Sequence, residues 1–173
     1  TIIISSSDST DHYQDYHNKG ADFVIHGEGE ITLTEILDAI TSNNHSQVSG
    51  ISYLNGDLVC KNQARSVLKD LDLLPMPAWD LLDVQPYRDI WEQNHGYFPL
   101  NIATTRGCPF KCNWCAKPIY GNRYNSRSPA KVVEELAYLS DKFGVNYFWM
   151  CDDIFGLKPG WVREFTQELE CRN

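Results

Sequence analysis

Leu100-Asn101-Ile102-Ala103-Thr104-Thr105-Arg106-Gly107-Cys108-Pro109-Phe110-Lys111-Cys112-Asn113-Trp114-Cys115 is an apolar run that empties into three cysteines spaced C-x3-C-x2-C. Leu100 to Thr104 reads as a strand, and the residues after it as the turn-rich loop that the strand delivers. Beyond the loop, Ser128 caps a helix with Pro129 at its first position. Val132, Leu136, Leu139 and Phe143 form the apolar stripe of that helix, and Gly144 ends it. Val145 to Cys151 is a continuous apolar strand that stops at Asp152-Asp153. Pro159 opens another helix, with Val162, Phe165 and Leu169 expected inward. Strands alternating with helices in this order predict an α/β fold with parallel strands.

Upstream the same rhythm recurs. Thr1 to Ser5 reads as a buried strand, and residues 11–19 as a short helix stopped by Gly20. Ala21 to His26 is a second buried strand, followed by the loop Gly27-Glu28-Gly29-Glu30. Leu33, Ile36, Leu37 and Ile40 line one face of the next helix at i, i+3, i+4, i+7. Two βα units in succession suggest a doubly wound parallel sheet. The pattern then changes. Residues 51–59 carry a hairpin signal, since Asn55-Gly56 supplies the positive-φ pair of a type I′ turn. A connector with Pro75, Pro77 and Pro86 follows. The expected organisation is therefore residues 1–47, a hairpin and Pro-containing linker over 48–95, and a second α/β part over 96–173.

The chain has 173 residues, 42% of them hydrophobic, which reads as globular rather than disordered. A formal net charge of −8 argues against nucleic acid as a partner. No apolar run reaches the length of a membrane span, and Thr1-Ile2-Ile3-Ile4 is too short for a signal peptide. The chain starts in a strand and stops in a helix, so a piece of a longer protein is expected. The six cysteines, without a secretion signal, read as thiols of a reducing cytoplasm rather than as three disulfides.

Three thiolates in one short loop can hold three irons of a cubane and leave the fourth iron open to a ligand. Soft thiolates suit iron–sulfur clusters and zinc alike. Structural zinc normally takes four ligands, and the loop offers three. Cys151 is the nearby candidate for a fourth. An electron carrier or redox sensor, or a zinc-stabilised module, therefore stands beside the open-iron reading. Arg106, Lys111, Lys117, Arg123, Arg127 and Lys131 surround the loop, either as a solvated face or as compensation for an anionic cluster or carboxylate.

The spacing, the aromatic Trp114 just before the last cysteine, the strand before and the helix after resemble the signature of radical S-adenosylmethionine (SAM) enzymes. The resemblance implies that Cys108, Cys112 and Cys115 ligate a [4Fe-4S] cluster. The methionine amine and carboxylate of S-adenosylmethionine would chelate the open iron. One electron would cleave the sulfonium to methionine and a 5′-deoxyadenosyl radical that abstracts hydrogen from a substrate. The family fold implies a partial (β/α) barrel whose first βα units are residues 96–173. Asp152 and Asp153 stand where the family hydrogen-bonds the amino group of S-adenosylmethionine. Trp114 is a candidate for the adenine pocket, or packs on its own loop. Arg127, in Asn125-Ser126-Arg127-Ser128-Pro129, matches a recurring stretch of these enzymes or is a surface Arg at a helix start.

The N-terminal stretch, Gly20 to Glu30, resembles the end of the cobalamin-binding domain that precedes many of these enzymes. That implies the C-terminal part of a flavodoxin- or Rossmann-like domain, with Gly27, Glu28, Gly29 and Glu30 facing the cobalamin. Ser5-Ser6-Ser7 stands where the family often has a Gly-Gly pair. Asp15-Tyr16-His17-Asn18-Lys19-Gly20 matches D-x-H-x-x-G, whose His can ligate cobalt. Here the string ends a helix instead of opening one, so His17 is not read as a ligand. The remaining histidines are read as solvated or capped. The family performs methyl transfer to unactivated carbon and ring-forming rearrangement, on a small molecule or peptide, with a reductant such as flavodoxin or ferredoxin.

Overall fold

The computed structural model describes residues 1–42, 44–115 and 119–172. The chain divides into two compact units, Thr1–Lys69 with Pro109–Arg123, and Asp70–Cys108 with Tyr124–Asn173.

In the N-terminal unit, β1 (Ile3–Ser5) and β2 (Phe23–Ile25) are parallel, with Ile4 opposite Val24. Two short helices connect them, α1 (Ser7–Asp11) and α2 (Tyr13–Asn18). Ser6 caps α1 with a reciprocal box in which its hydroxyl accepts from Ser9 N and the Ser9 hydroxyl accepts from Ser6 N. After α3 (Glu30–Ser42) the predicted hairpin forms as β3 (Ile51–Asn55) and β4 (Leu58–Lys61). It joins the sheet instead of standing apart in a linker: β3 lies antiparallel beside β2, with Val24 opposite Ser52. The four-stranded sheet is thus mixed, in the order β1-β2-β3-β4, and its doubly wound parallel part is confined to β1 and β2.

Phe23, Ile25, Ile36, Ala39, Val48 and Ile51 form the core of this unit. Ile36 is fully buried, an effect of about 1.5–3 kcal/mol for such a side chain. The expected stripe of α3 is only partly realised. Thr32, Ile36 and Ala39 face the sheet, while Leu33, Leu37 and Ile40 are exposed. Parallel strands of three residues each cover one narrow strip of a helix, so the rest of its apolar face stays open. The segment after β4 is tied back by Arg65, which pairs with Glu35 and donates to Thr32 Oγ1 at 2.8 Å and Ser49 O at 3.2 Å.

In the C-terminal unit, α4 (Gln85–His95) lies in the stretch expected as linker. Pro86 begins it and Gly96 ends it in the left-handed conformation. β5 (Pro99–Ile102) leads to the short antiparallel pair β6 (Thr105–Arg106) and β7 (Asn125–Ser126). Then come α5 (Pro129–Phe143), β8 (Tyr147–Met150) and α6 (Pro159–Glu170). β5 and β8 are parallel, with Leu100 opposite Phe148 and Ile102 opposite Met150. Alternation sends Leu100 and Ile102 into the core with Val132, Leu136 and Leu139 of α5. Ser128 and Gly144 cap α5 as its sequence predicts. In α6 Phe165 faces the core as expected, but Val162 and Leu169 do not. Trp161 is buried and stacks on Phe165 at 5.1 Å, while Val162 and Leu169 are exposed. Trp161 wins because its indole N–H also reaches the Arg127 carbonyl, at 2.7 Å.

Candidate functional site

The cysteine run leaves the C-terminal unit from a closed stem. Thr105 pairs with Ser126 and Arg106 with Asn125, so β6 and β7 bind the two ends of the loop. Gly107 turns the chain out of β6 at φ 81°, a left-handed conformation that suits glycine. Further on, Cys115 N donates to Cys112 O at 3.3 Å. None of the three loop cysteines is in a disulfide; Cys112 is exposed, Cys108 and Cys115 half-buried. Among the described residues no three His, Cys, Asp or Glu side chains converge to hold a metal. A donor set of three soft cysteine sulfurs, none tied up in a disulfide, fits an iron–sulfur cluster. Trp114 is 88% exposed.

The corner between β5 and β6 is held at successive backbone groups. Asp152, just past the end of β8, accepts from Thr104 N at 2.7 Å and from Thr105 N at 2.8 Å through one carboxylate oxygen. Its other oxygen accepts from the Thr104 hydroxyl. From the opposite side, Arg127 N donates to Thr104 O at 2.9 Å, and its guanidinium to Ala103 O at 3.1 Å. Thr104 and Thr105 are buried as a result. The neighbouring Asp153 is exposed. Tyr124, whose hydroxyl accepts from Leu157 N at 3.3 Å, has its pKa raised by burial first, with the Asp152 carboxylate adding to the effect.

Arg127 is a half-buried structural cation rather than a surface one. It pairs with Glu135, which is 1% exposed and also accepts from Trp79 Nε1 at 2.8 Å. Lys131 pairs with Glu134 at 2.9 Å. Arg127 and Lys131 thus have carboxylate partners, and Lys117 lies outside the described residues. Glu135 escaped the sequence reading because a charged residue on the apolar face of a helix carries no periodic signal. A second pattern was present but unread: Tyr87, Ile90 and Trp91 at i, i+3, i+4 between Pro86 and Gly96 mark α4.

In the N-terminal unit, Gly27, Glu28, Gly29 and Glu30 line a cavity of about 370 Å³ at the carboxyl ends of β1 and β2, together with Ser5 and Tyr120. Gly27 takes φ 85°, and a Cβ on Gly29 would stand 3.4 Å from Ser5 Oγ. The Glu28 carboxylate accepts from Leu68 N at 2.5 Å, which gives it a structural tie.

His17 is buried with both ring nitrogens engaged, Nδ1 with Ala21 O and Nε2 with Ser52 Oγ, each at 2.8 Å. A carbonyl only accepts, so Nδ1 carries the proton and Ser52 donates to Nε2. Ser52 Oγ then accepts from His26 Nε2 at 3.0 Å. This network explains His17 without cobalt. His26 is half-buried, and burial first, then Lys61, lowers its pKa.

No family model matches the chain. Over 139 residues it is 32% identical to an uncharacterised methyltransferase of Pyrococcus horikoshii, covering 79% of this chain and 29% of that protein. It is 29% identical over 160 residues to the anaerobic magnesium-protoporphyrin IX monomethyl ester cyclase of Cereibacter sphaeroides, covering 87% and 25%. Among solved structures it resembles the radical S-adenosylmethionine methyltransferase TsrM of Kitasatospora setae with tryptophan and a SAM analogue bound. The TM-score there is 0.74 at 20% identity, over 98% of this chain and 33% of that one. The cobalamin-dependent S-adenosylmethionine radical enzyme OxsB with aqua-cobalamin bound gives a TM-score of 0.72 at 20% identity, over 98% and 24%. The chain spans about a quarter to a third of the length of these proteins. The α/β fold of these two structures extends over nearly the whole chain. Among the described residues no helix is long and apolar enough to cross a membrane.

Proposed function

We propose that this chain carries the radical-generating part of a cobalamin-dependent radical SAM enzyme. Cys108, Cys112 and Cys115 hold a [4Fe-4S] cluster whose open iron takes the methionine moiety of S-adenosylmethionine. The observation that carries this is the set of three cysteines, none in a disulfide, on one loop launched from the carboxyl end of a parallel strand and closed at its stem by β6 and β7. When bound, the cluster supplies the electron that cleaves S-adenosylmethionine to methionine and a 5′-deoxyadenosyl radical.

The residues of the chain bind and orient. Asp153, exposed at the carboxyl end of β8, offers its carboxylate to the substrate ammonium. Trp114, standing in solvent on the loop, offers a face to the adenine. Gly27 to Glu30 line the cavity at the ends of β1 and β2, where open α/β sheets bind ligands, and we assign it to cobalamin. Methyltransferases and a cyclase among the relatives support methyl transfer or ring closure, here read as acting on a small molecule or peptide. A reductant such as flavodoxin or ferredoxin is the electron donor this reading requires.

Anaerobic reconstitution of the full-length protein, followed by iron, sulfide and zinc analysis, tests the reading. Iron and sulfide in equal amounts, lost when Cys112 is replaced by Ala, are expected. Zinc without sulfide overturns it.

A further inference from the structure

We infer that Asp152 is a positioning residue for the cluster loop: it fixes the Thr104–Thr105 corner from which Cys108 is launched and acts on the cluster only through that backbone. This rests on the cluster reading above. The two aspartates at the end of β8 are equivalent in sequence and different in structure. Asp153 is exposed. Asp152 gives one carboxylate oxygen to two successive backbone N–H groups, at 2.7 and 2.8 Å, and the other to the Thr104 hydroxyl.

The corner it grips is not held by the strand ladder. β5 ends at Ile102 and β6 begins at Thr105, so Thr104 N has no strand partner of its own. A buried N–H left unpaired is costly, and a carboxylate bridging two of them is a strong, directional remedy. Arg127 N and the Arg127 guanidinium hold the carbonyls of Thr104 and Ala103 from the other side. Both grips are needed because the chain leaves the β5 ladder, enters the separate β6–β7 pair within three residues and then turns at Gly107, φ 81°. Cys108 follows at once, so rotation at the corner moves the first thiol directly.

The geometry also says which substitution preserves the grip. Asparagine keeps one oxygen for the two N–H groups, and its amide can donate to the Thr104 hydroxyl, which accepts as readily as it donates. It cannot keep an ionic contact to the ammonium of S-adenosylmethionine. Asp152→Asn therefore separates positioning from direct cofactor binding, and Asp152→Ala removes both.

The test compares wild-type, Asp152→Asn and Asp152→Ala forms of the full-length protein after anaerobic reconstitution. Iron and sulfide per chain are measured, then KM for S-adenosylmethionine and kcat in 5′-deoxyadenosine formation. Asp152→Asn is expected to keep cluster content and KM within about twofold of wild type, while Asp152→Ala loses about tenfold in cluster affinity, the usual cost of a lost orienting partner. A KM raised about tenfold or more in Asp152→Asn with its cluster intact shows a direct ionic contact and overturns the inference. So does Asp152→Ala that loads like wild type. If Asp152→Ala fails to fold by circular dichroism, Asp152→Asn alone decides by the same criteria. A wild-type protein without iron and sulfide overturns the cluster reading itself, before any variant is compared.

Discussion

Replacing Glu135 by alanine should destabilise the C-terminal unit more than any surface change in it. The carboxylate is 1% exposed and its partner Arg127 is 17% exposed, so neither charge is well served by water. Removing Glu135 strands the guanidinium, at a cost of about 3–5 kcal/mol for a broken buried pair. It also leaves Trp79 Nε1 without its acceptor, at about 1–3 kcal/mol. The two losses share one site and do not add fully, which places the expected loss near ~4 kcal/mol. Glu135→Gln keeps an oxygen for Trp79 but turns an amide donor toward Arg127, so about half that loss is expected. Replacing the pair together, Arg127→Met with Glu135→Leu, should recover most of the stability because no charge is left stranded. Urea unfolding followed by tryptophan fluorescence reads this unit well, since Trp79, Trp91, Trp149 and Trp161 lie in it. A Glu135→Ala protein within about 1 kcal/mol of wild type, or a double variant no better than the single, would refute the buried network.

Three further outcomes follow from the same geometry. Asp153→Asn should leave the cluster intact and raise KM for S-adenosylmethionine by about tenfold through loss of a charge-assisted contact, and an unchanged KM would assign the ammonium elsewhere. Gly107→Ala forces a side chain onto φ 81°, at a cost of about 1–2 kcal/mol, and should reduce iron and sulfide uptake; full uptake contradicts the turn's role. Burial first and then Lys61 lower the His26 pKa in the folded state below the ordinary ~6.5. The unfolded chain then binds the extra proton, so stability is complete above that pH and falls as pH drops below it. Denaturation midpoints from pH 5 to 7, measured for wild type and His26→Gln, should show a shallower slope in the variant. Equal slopes would place the titration in another group.

Much of the fold was legible because its signals are local. Ser128 with Pro129 and Gly144 bound α5 as read, and Asn55-Gly56 turns the β3–β4 hairpin. The tight cysteine spacing announced the loop without any tertiary information. What escaped depends on partners distant in sequence. That the hairpin would pair with β2 is set by packing around Phe23, Ile25 and Ile51, which no turn signal reports. Leu33, Leu37 and Ile40 obey helical periodicity yet stay exposed, because periodicity tells which residues share a face and not how much sheet covers it. Glu135 and Ser52 read as ordinary polar residues until Arg127, Trp79, His17 and His26 close on them. The division of labour between Asp152 and Asp153 depends on which side of β8 meets the Thr104 corner.

The most direct measurement is the electron paramagnetic resonance spectrum of the dithionite-reduced, reconstituted full-length protein, recorded with and without S-adenosylmethionine. Three cysteine ligands and an open iron predict a [4Fe-4S] signal whose g-values shift when S-adenosylmethionine is added, with 5′-deoxyadenosine released on turnover. A reduced cluster signal that S-adenosylmethionine leaves unchanged, with no 5′-deoxyadenosine formed, would contradict the open iron.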